Sequence, residues 1–390
     1  MDIDAFRQSP SGRLVKTGRG ESAYWAFVPN PLPPDLQPDR KLWSALSAAD
    51  LAVGRLDGLG RELPNPHLLI RPLIRREAVL SSRIEGTQAS LADLLAFEVG
   101  QPALFRDQPP TPEADVREVF NYVRALEYAL SRRESLPVSL RFIREIHNIL
   151  VRGVRGQHLT PGEFRTGPNW IGPPDCLLNE ATYVPPPPEE MGSALSHFEK
   201  YLHADNTYPS LVRLSFIHYQ FEAIHPFLDG NGRIGRLLLA LLLVDWELIS
   251  QPLLYLSEFF EKNRVEYYDL LMAVSQRGAW QEWVAFFLHA VAEQATATIA
   301  KARSLLALQE QWRHLLTRPG GSALLLRLAD SLLEMPVLTI PQAQEALGVT
   351  YRSAQLNVGK LADAGLLREI EGAYPKTFVA PEVMRILGYG

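Results

Sequence analysis

The stretch His225-Pro-Phe-Leu-Asp-Gly-Asn-Gly-Arg-Ile-Gly-Arg236 decides how this chain is read. It lies between two strong helical patterns. Upstream, Leu214, Ile217, Phe221 and Ile224 recur at spacings of three and four, so a helix from about Pro209 to Ile224 is anchored in a core by one face. Pro226 ends it just after His225. Downstream, a helix from about Arg233 to Leu248 contains Leu237-Leu-Leu-Ala-Leu-Leu-Leu-Val244 and is expected to be buried on nearly all sides. The loop between them is held by two rigid elements, as a well-positioned site requires.

Each residue type in the loop has a physical use. Gly230 and Gly232 admit backbone conformations closed to other residues and let main-chain N–H groups come close to a ligand. At a helix N-terminus those groups form an anion nest. Arg233 and Arg236 are three apart, so they are expected to share a helical face and both reach an oligophosphate. Asp229 offers a hard oxygen ligand suited to Mg2+ bridging phosphates. His225 is the one group of the loop able to take a proton near neutral pH. Jointly they imply transfer of a phosphate-containing group to a protein hydroxyl. A Walker-type phosphate loop is excluded, because the Lys-Ser/Thr ending is missing. His147 and His218 read as structural histidines.

Working outward, the 390 residues suggest two or three domains. With 46% hydrophobic and 21% charged residues the chain is an ordinary globular one, neither disordered nor collagen-like. A formal charge of −5 argues against a strongly basic nucleic-acid binder. The single cysteine, Cys176, excludes an intramolecular disulfide and a cysteine zinc cluster, and reads as incidental. The run Leu237–Val244 is the longest apolar stretch, far below the ~18–20 residues that span a bilayer. The opening residues MDIDAFRQSPSGRL show no signal-peptide pattern, so the expectation is a cytoplasmic protein with no membrane contact.

Residues 1–40 are polar and proline-rich, with Ala23-Tyr-Trp-Ala-Phe-Val28 read as a docking segment that lays aromatics on a neighbouring surface. Helical spacing begins with Trp43, Leu46, Leu51 and Val53, and continues through Leu73, Ile74, Ala78 and Leu80. Gln108-Pro-Pro-Thr-Pro112 breaks it. Stripes Val119, Val123, Leu126, Leu130 and Leu140, Ile143, Ile146, Leu150 mark two further helices. Between Pro161 and Pro188 the short runs Arg165–Gly172 and Ala181–Val184, separated by Pro173-Pro-Asp175, read as a surface hairpin. Pro185 to Pro188 read as a stiff connector, with a proline-recognition ligand the weaker alternative. Helices run on to about Leu316, and Pro319-Gly-Gly321 marks a linker. The remainder reads as helix, strand, two short helices about Gly348, and a strand pair turning at Gly372, which resembles a winged helix-turn-helix.

Here the residues carry a family resemblance. HPFLDGNGRIGR resembles the signature loop of the Fic family, HPFx(D/E)GNGRxxR, at every specified position. The tract Pro161-Gly-Glu-Phe-Arg-Thr166, Asn169-Trp-Ile171 and Tyr183-Val-Pro-Pro-Pro-Pro188 is similar to the family's flap, and Ala23–Pro34 to the N-terminal extension of larger bacterial members. The fold implied is mainly α: a Fic helical core with a β-hairpin flap, an N-terminal helical extension and a C-terminal winged helix-turn-helix. The implied domains are 1–105, with an inhibitory helix at about 75–90, then a catalytic domain at 106–318 and the winged helix at 319–390.

The implied activity is protein adenylylation, in which AMP passes from ATP to a Tyr, Thr or Ser hydroxyl of a target protein, or of the chain itself, releasing pyrophosphate. By position, His225 is then the general base and Asp229 the Mg2+ ligand. The ATP-binding set is Gly230, Asn231, Gly232, Arg233, Ile234, Gly235 and Arg236, with Arg236 on the γ-phosphate and Tyr267 at the base or ribose. Asn169, Trp170 and Ile171 would clamp the target by strand addition. Ser81-Ser-Arg-Ile-Glu-Gly86 matches the family's inhibitory pattern (S/T)xxxE(G/N), so Ser81, Glu85 and Gly86 imply a brake in which Glu85 draws Arg236 off the γ-phosphate.

Two other functions stay open. A winged-helix transcriptional regulator is disfavoured, because residues 321–390 hold six Lys/Arg against seven Asp/Glu, and DNA affinity comes largely from phosphate neutralisation. A Fic enzyme that removes AMP or transfers another phosphate-containing group is the other. A homodimer is left open as well.

Overall fold

The computed structural model describes residues 1–20, 23–63, 65–101, 111–154, 160–173, 176–205, 207–317 and 322–388. The expected break at Gln108–Pro110, the turn at Pro174-Asp175 and the linker Pro319–Gly321 lie outside them, as do the implied boundaries at 105/106 and 318/319.

The chain opens with α1 (Ile3–Phe6) and an antiparallel pair, β1 (Gly12–Thr17) and β2 (Tyr24–Pro29), in the register Leu14 to Phe27. The expected docking segment is thus β2, and Phe27 is fully buried against Phe6 and Tyr183. Three helices follow: α2 (Arg40–Glu62), α3 (His67–Ile84) and α4 (Leu91–Glu98). On α2 the buried face is Leu42, Leu46, Ala49, Val53 and Leu56, whereas Trp43 and Leu51, on the expected helix, stand more than half exposed. Next come α5 (Glu113–Arg132), α6 (Leu140–Leu150) and α7 (Pro188–His203).

Among the described residues, the expected flap hairpin between α6 and α7 pairs through one antiparallel bridge, Ile171 to Tyr183. Its prolines and glycines leave too few consecutive N–H donors for a ladder. Pro185, Pro186 and Pro187 are buried, and Pro188 starts α7, so this run is packed wall rather than a free connector or an exposed ligand.

At the centre lie α8 (Ser210–Ile224) and α9 (Asn231–Asp245). Both are buried on almost every side, which fixes the loop between them from both ends. The body closes with α10 (Ser257–Lys262), α11 (Arg264–Arg277) and the 37-residue α12 (Trp280–Leu316), which packs along α2.

The last module runs α13 (Ala323–Glu334), β3 (Val337–Thr339), α14 (Ile340–Leu347), α15 (Tyr351–Asp363), β4 (Arg368–Glu369) and β5 (Thr377–Val379), in the order expected. Its sheet has the order β3-β5-β4. A final helix, α16 (Pro381–Leu387), was not foreseen. Among the described residues no helix is long and apolar enough to cross a membrane.

Candidate active site

His225 ends α8 in the left-handed region at φ +51°. Pro226 excludes the right-handed helical conformation for the residue before it, and His225 takes the αL position that glycine usually fills. Such a backbone costs on the order of 1 kcal/mol, and the fixing bonds come from Arg165. Its Nε donates to the His225 carbonyl at 2.9 Å, and its Nη2 reaches the carbonyls of Pro186 at 2.5 Å and Ile224 at 3.4 Å. The Arg165 backbone N–H adds a bond to Pro226 at 2.9 Å. Buried Arg165 is therefore the rivet of the turn, a role the sequence reading did not assign.

The ring of His225 has a defined proton. Nδ1 lies 3.3 Å from the Glu222 carbonyl, which can only accept, so Nδ1 carries the hydrogen and Nε2 keeps its lone pair. Burial pushes the pKa down to about 4, with the Glu222 carbonyl opposing and the Arg165 charge adding to the fall. The imidazole is neutral at physiological pH. Its Nε2 lone pair is open to a proton.

The rest of the loop is clamped from beneath. Asn231 accepts from the Phe227 N–H and donates to the Phe227 carbonyl, both at 2.8 Å, so its side chain is a structural staple. His147 accepts the Gly162 N–H on Nδ1 at 2.9 Å, which makes Nε2 the donor to the Asp229 carbonyl at 3.0 Å. Its ring stacks on Phe227 at 3.7 Å. Burial lowers the pKa of His147 to about 4 and that of His218 to about 3, in keeping with structural roles.

Helix α9 starts at Gly230 (φ +80°) with no side-chain cap, leaving the N–H groups of its first turn to face an anion. Asp229 holds the Gly230 N–H on Oδ1 at 2.7 Å, while Oδ2 lies 3.3 Å from Arg233. The two arginines diverge rather than share a face. Arg233, 1% exposed, also pairs with buried Glu118 at 3.1 Å and so orients the Asp229 carboxylate. Arg236 turns the other way, to α3: its Nε donates to Ser81 Oγ at 2.9 Å, and its Nη2 to the Ser81 carbonyl at 2.8 Å and Glu85 Oε1 at 2.7 Å.

Glu85 sits at the C-terminal end of α3, followed by Gly86 at φ +95°, a conformation glycine adopts freely. The Glu85 side chain is about a third exposed, and the Arg236 guanidinium beside it, with Arg233, holds its carboxyl below the usual range. The close approach needs Gly232, where a Cβ would lie 2.3 Å from Glu85 Oε1. Gly235 plays the same part for Glu222: a Cβ there would lie 2.4 Å from its Oε1. That carboxyl is pushed up to about 8 by burial, with Arg236 opposing.

Other predicted site residues fall differently. Ile234 is 1% exposed and belongs to the core, and its N–H donates to the Gly230 carbonyl at 3.0 Å, so it adds no donor to the nest. Tyr267 is equally buried, with its hydroxyl 2.8 Å from His218 Nε2 and its ring stacked on Phe260. Its neighbour Tyr268, 41% exposed, turns outward. The helical step of ~100° decides between adjacent tyrosines, and the sequence reading chose the inward one. On the flap, Asn169 Nδ2 donates to the Phe227 carbonyl at 3.0 Å, tying the flap to the loop. Trp170 and Ile171 are exposed, as is Leu177. The N–H and carbonyl of Ile171 are already engaged by Tyr183 and Thr182, so strand addition must use its neighbours.

A neutral imidazole, a carboxylate and an open helix N-terminus on one braced loop define a group-transfer type of site. Comparison with known proteins gives the family. Residues 43–131 match the Fic/DOC family N-terminal model and residues 137–243 the Fic/DOC family model, together half of the chain. The chain belongs to the Fic/DOC family.

It is 28% identical over 184 residues to a probable protein adenylyltransferase of Aquifex aeolicus, covering 46% of this chain and 50% of that one. It is 32% identical over 144 residues to the protein adenylyltransferase Fic of Aedes aegypti, covering 36% and 25%. The chain thus spans a quarter to a half of these curated relatives. A Fic family protein of Desulfovibrio desulfuricans G20 shares the fold at a TM-score of 0.57 and 18% identity, over 90% of this chain and 98% of that one. Fic-1 (aa134–508) of C. elegans does so at 0.51 and 21%, over 68% and 74%.

Proposed function

We propose that the chain is a protein adenylyltransferase that moves AMP from ATP to a side-chain hydroxyl of a protein, releasing pyrophosphate, and that the described conformation is its restrained state. The observation that carries this reading is the neutral His225, with Nε2 free as a base, placed on the same loop as the uncapped start of α9.

His225 Nε2 takes the proton of the attacking hydroxyl. The oxygen then forms its bond to the α-phosphorus as the bond to the β-phosphate oxygen breaks. The N–H groups of Asn231 and Gly232 hold phosphate oxygens without moving, which is where most of the stabilisation arises, while the Gly230 N–H stays on Asp229 Oδ1. Arg233 keeps Asp229 in place. Arg236, released from Glu85, binds the γ-phosphate. Trp170 and Ile171 dock the target segment.

Asp229 is a single hard carboxylate beside the nest, a donor set that fits Mg2+ completed by phosphate oxygens and waters. No group of three or more His, Cys, Asp or Glu ligands occurs among the described residues, so the protein would hold the ion only together with the nucleotide. When bound, Mg2+ would neutralise charge between the α- and β-phosphates. Tyr268, rather than Tyr267, is the aromatic available to the base.

The test is intact-mass spectrometry of Glu85→Gly protein after incubation with ATP and Mg2+. An increment of one AMP on the chain or on an added acceptor protein supports the reading. A phosphate increment, or none at all, overturns it.

A further inference from the structure

Helix α3 presents Ser81 and Glu85 to Arg236 on one side and is gripped from the other. Arg76 lies nine residues before Glu85, about 180° round the helix. Its Nη1 donates to the carbonyl of Leu387 at 2.7 Å and of Gly388 at 3.4 Å, where α16 ends. Gly388 (φ +72°) makes this approach feasible, because a Cβ there would stand 2.6 Å from Arg76 Nη1. The other two nitrogens of Arg76 hold both oxygens of Glu258 on α10, at 3.1 and 2.8 Å, and Lys301 of α12 braces the same carboxylate at 2.7 Å.

Two further contacts tie the same region to the last module. Near the start of α3, Arg71 pairs with Glu334 at the end of α13 at 3.0 Å. Beyond the Glu85-Gly86 turn, Leu95 and Ala96 of α4 and Val99 just after it form a separate apolar cluster with Val337 and Val379 of the small sheet, and Gln101 donates to the Pro375 carbonyl at 2.8 Å. The segment carrying Glu85 is thus anchored before, behind and after by residues 322–388.

We infer that the C-terminal module is the clamp that keeps Glu85 on Arg236, with Arg76 the positioning residue through which it acts. This rests on the reading of Glu85 as a brake. The engagement of Arg236 then depends on two sets of contacts in series, the inner one at Ser81 and Glu85 and the outer one at Arg76. A ligand or partner that draws the module away from α3 would release the nucleotide site without touching it. Loss of charge-assisted bonds to buried or half-buried acceptors shifts such an equilibrium by about tenfold or more.

The experiment uses the full chain and compares wild type, Arg76→Ala, Arg76→Lys, Glu334→Ala, Glu85→Gly and the Arg76→Ala/Glu85→Gly double variant. Self-labelling by α-labelled ATP and Mg2+ is measured beside hydrogen exchange of residues 77–86. Arg76→Ala should raise labelling about tenfold and speed exchange in that segment. Arg76→Lys, which retains one bond to Glu258, should fall between it and wild type, and Glu334→Ala should move in the same direction as Arg76→Ala. The double variant should label no faster than Glu85→Gly alone, because both changes act on one contact.

Unchanged exchange at residues 77–86 in both Arg76→Ala and Glu334→Ala overturns the clamp, as does additive labelling in the double variant. If Glu85→Gly fails to raise labelling, the brake reading is wrong. Exchange then still judges the clamp: faster exchange upholds it and unchanged exchange overturns it.

Discussion

Replacing Glu85 by glycine should convert Arg236 from a structural partner into a nucleotide ligand. In the described state Arg236 spends one charge-assisted bond on Glu85 at 2.7 Å and two more on Ser81. A γ-phosphate must displace the first of these. A hydrogen bond to a charged group contributes about 1.5–3 kcal/mol net, so its removal should strengthen ATP binding about 10- to 150-fold. The cost falls on the free protein, because a buried cation stripped of its carboxylate destabilises by about 3–5 kcal/mol, and here the Ser81 bonds reduce that figure. The affinity is best measured by calorimetry with ATP and Mg2+ in the His225→Ala background, so that no turnover intrudes. A gain confined to triphosphates, with AMP binding unchanged, is the expected pattern. Equal affinity for ATP in the presence and absence of Glu85 would show that Arg236 does not report on the γ-phosphate, and the reasoning would fail.

Three other outcomes follow from the same geometry. Asn231→Ala strands the buried Phe227 N–H, which should cost about 1–3 kcal/mol and abolish labelling while circular dichroism at 25 °C stays native; full activity would show that the staple is dispensable. Tyr268→Ala should raise the KM for ATP about 5- to 100-fold by removing one base-stacking surface, whereas Tyr267→Phe should leave it near wild type, and the reverse order would restore the inward tyrosine. His147 is held neutral, with its pKa near 4 against an unfolded value of 6.5. Its contribution is therefore whole above pH 6.5 and is lost as pH falls through 4, a span of about 3 kcal/mol, so His147→Gln should flatten the dependence of the urea midpoint on pH between 6.5 and 4. An undiminished slope in that variant would place the acid sensitivity elsewhere.

Much of the frame was legible in the sequence because α8 and α9 are apolar enough to be read as buried helices, and Pro226 and Gly230 punctuate the loop between them. The Glu85–Arg236 pair was legible only through its resemblance to a known pattern, since spacing alone says nothing about contacts 151 residues apart. The divergence of Arg233 from Arg236 was not readable, because the partner that turns Arg233 inward, Glu118, lies 115 residues upstream on α5. For the same reason Arg165 looked like part of a flap, although two of its acceptors, the carbonyls of His225 and Ile224, lie about 60 residues further on. Strand β1 (GRLVKT) was missed because it has little apolar alternation, and its existence follows from pairing with β2. The two short extended runs of the flap were legible from the prolines that bound them, and among the described residues they meet in an antiparallel bridge, Ile171 to Tyr183.

Adenylylation requires that His225 direct the hydroxyl to the α-phosphorus and not to the γ-phosphorus. Glu85→Gly protein incubated in parallel with ATP labelled at the α- or at the γ-phosphate decides it. Covalent label from the α-position alone, lost entirely in Glu85→Gly/His225→Ala, is the predicted result. Label retained from the γ-position, or α-label that persists without His225, would contradict it.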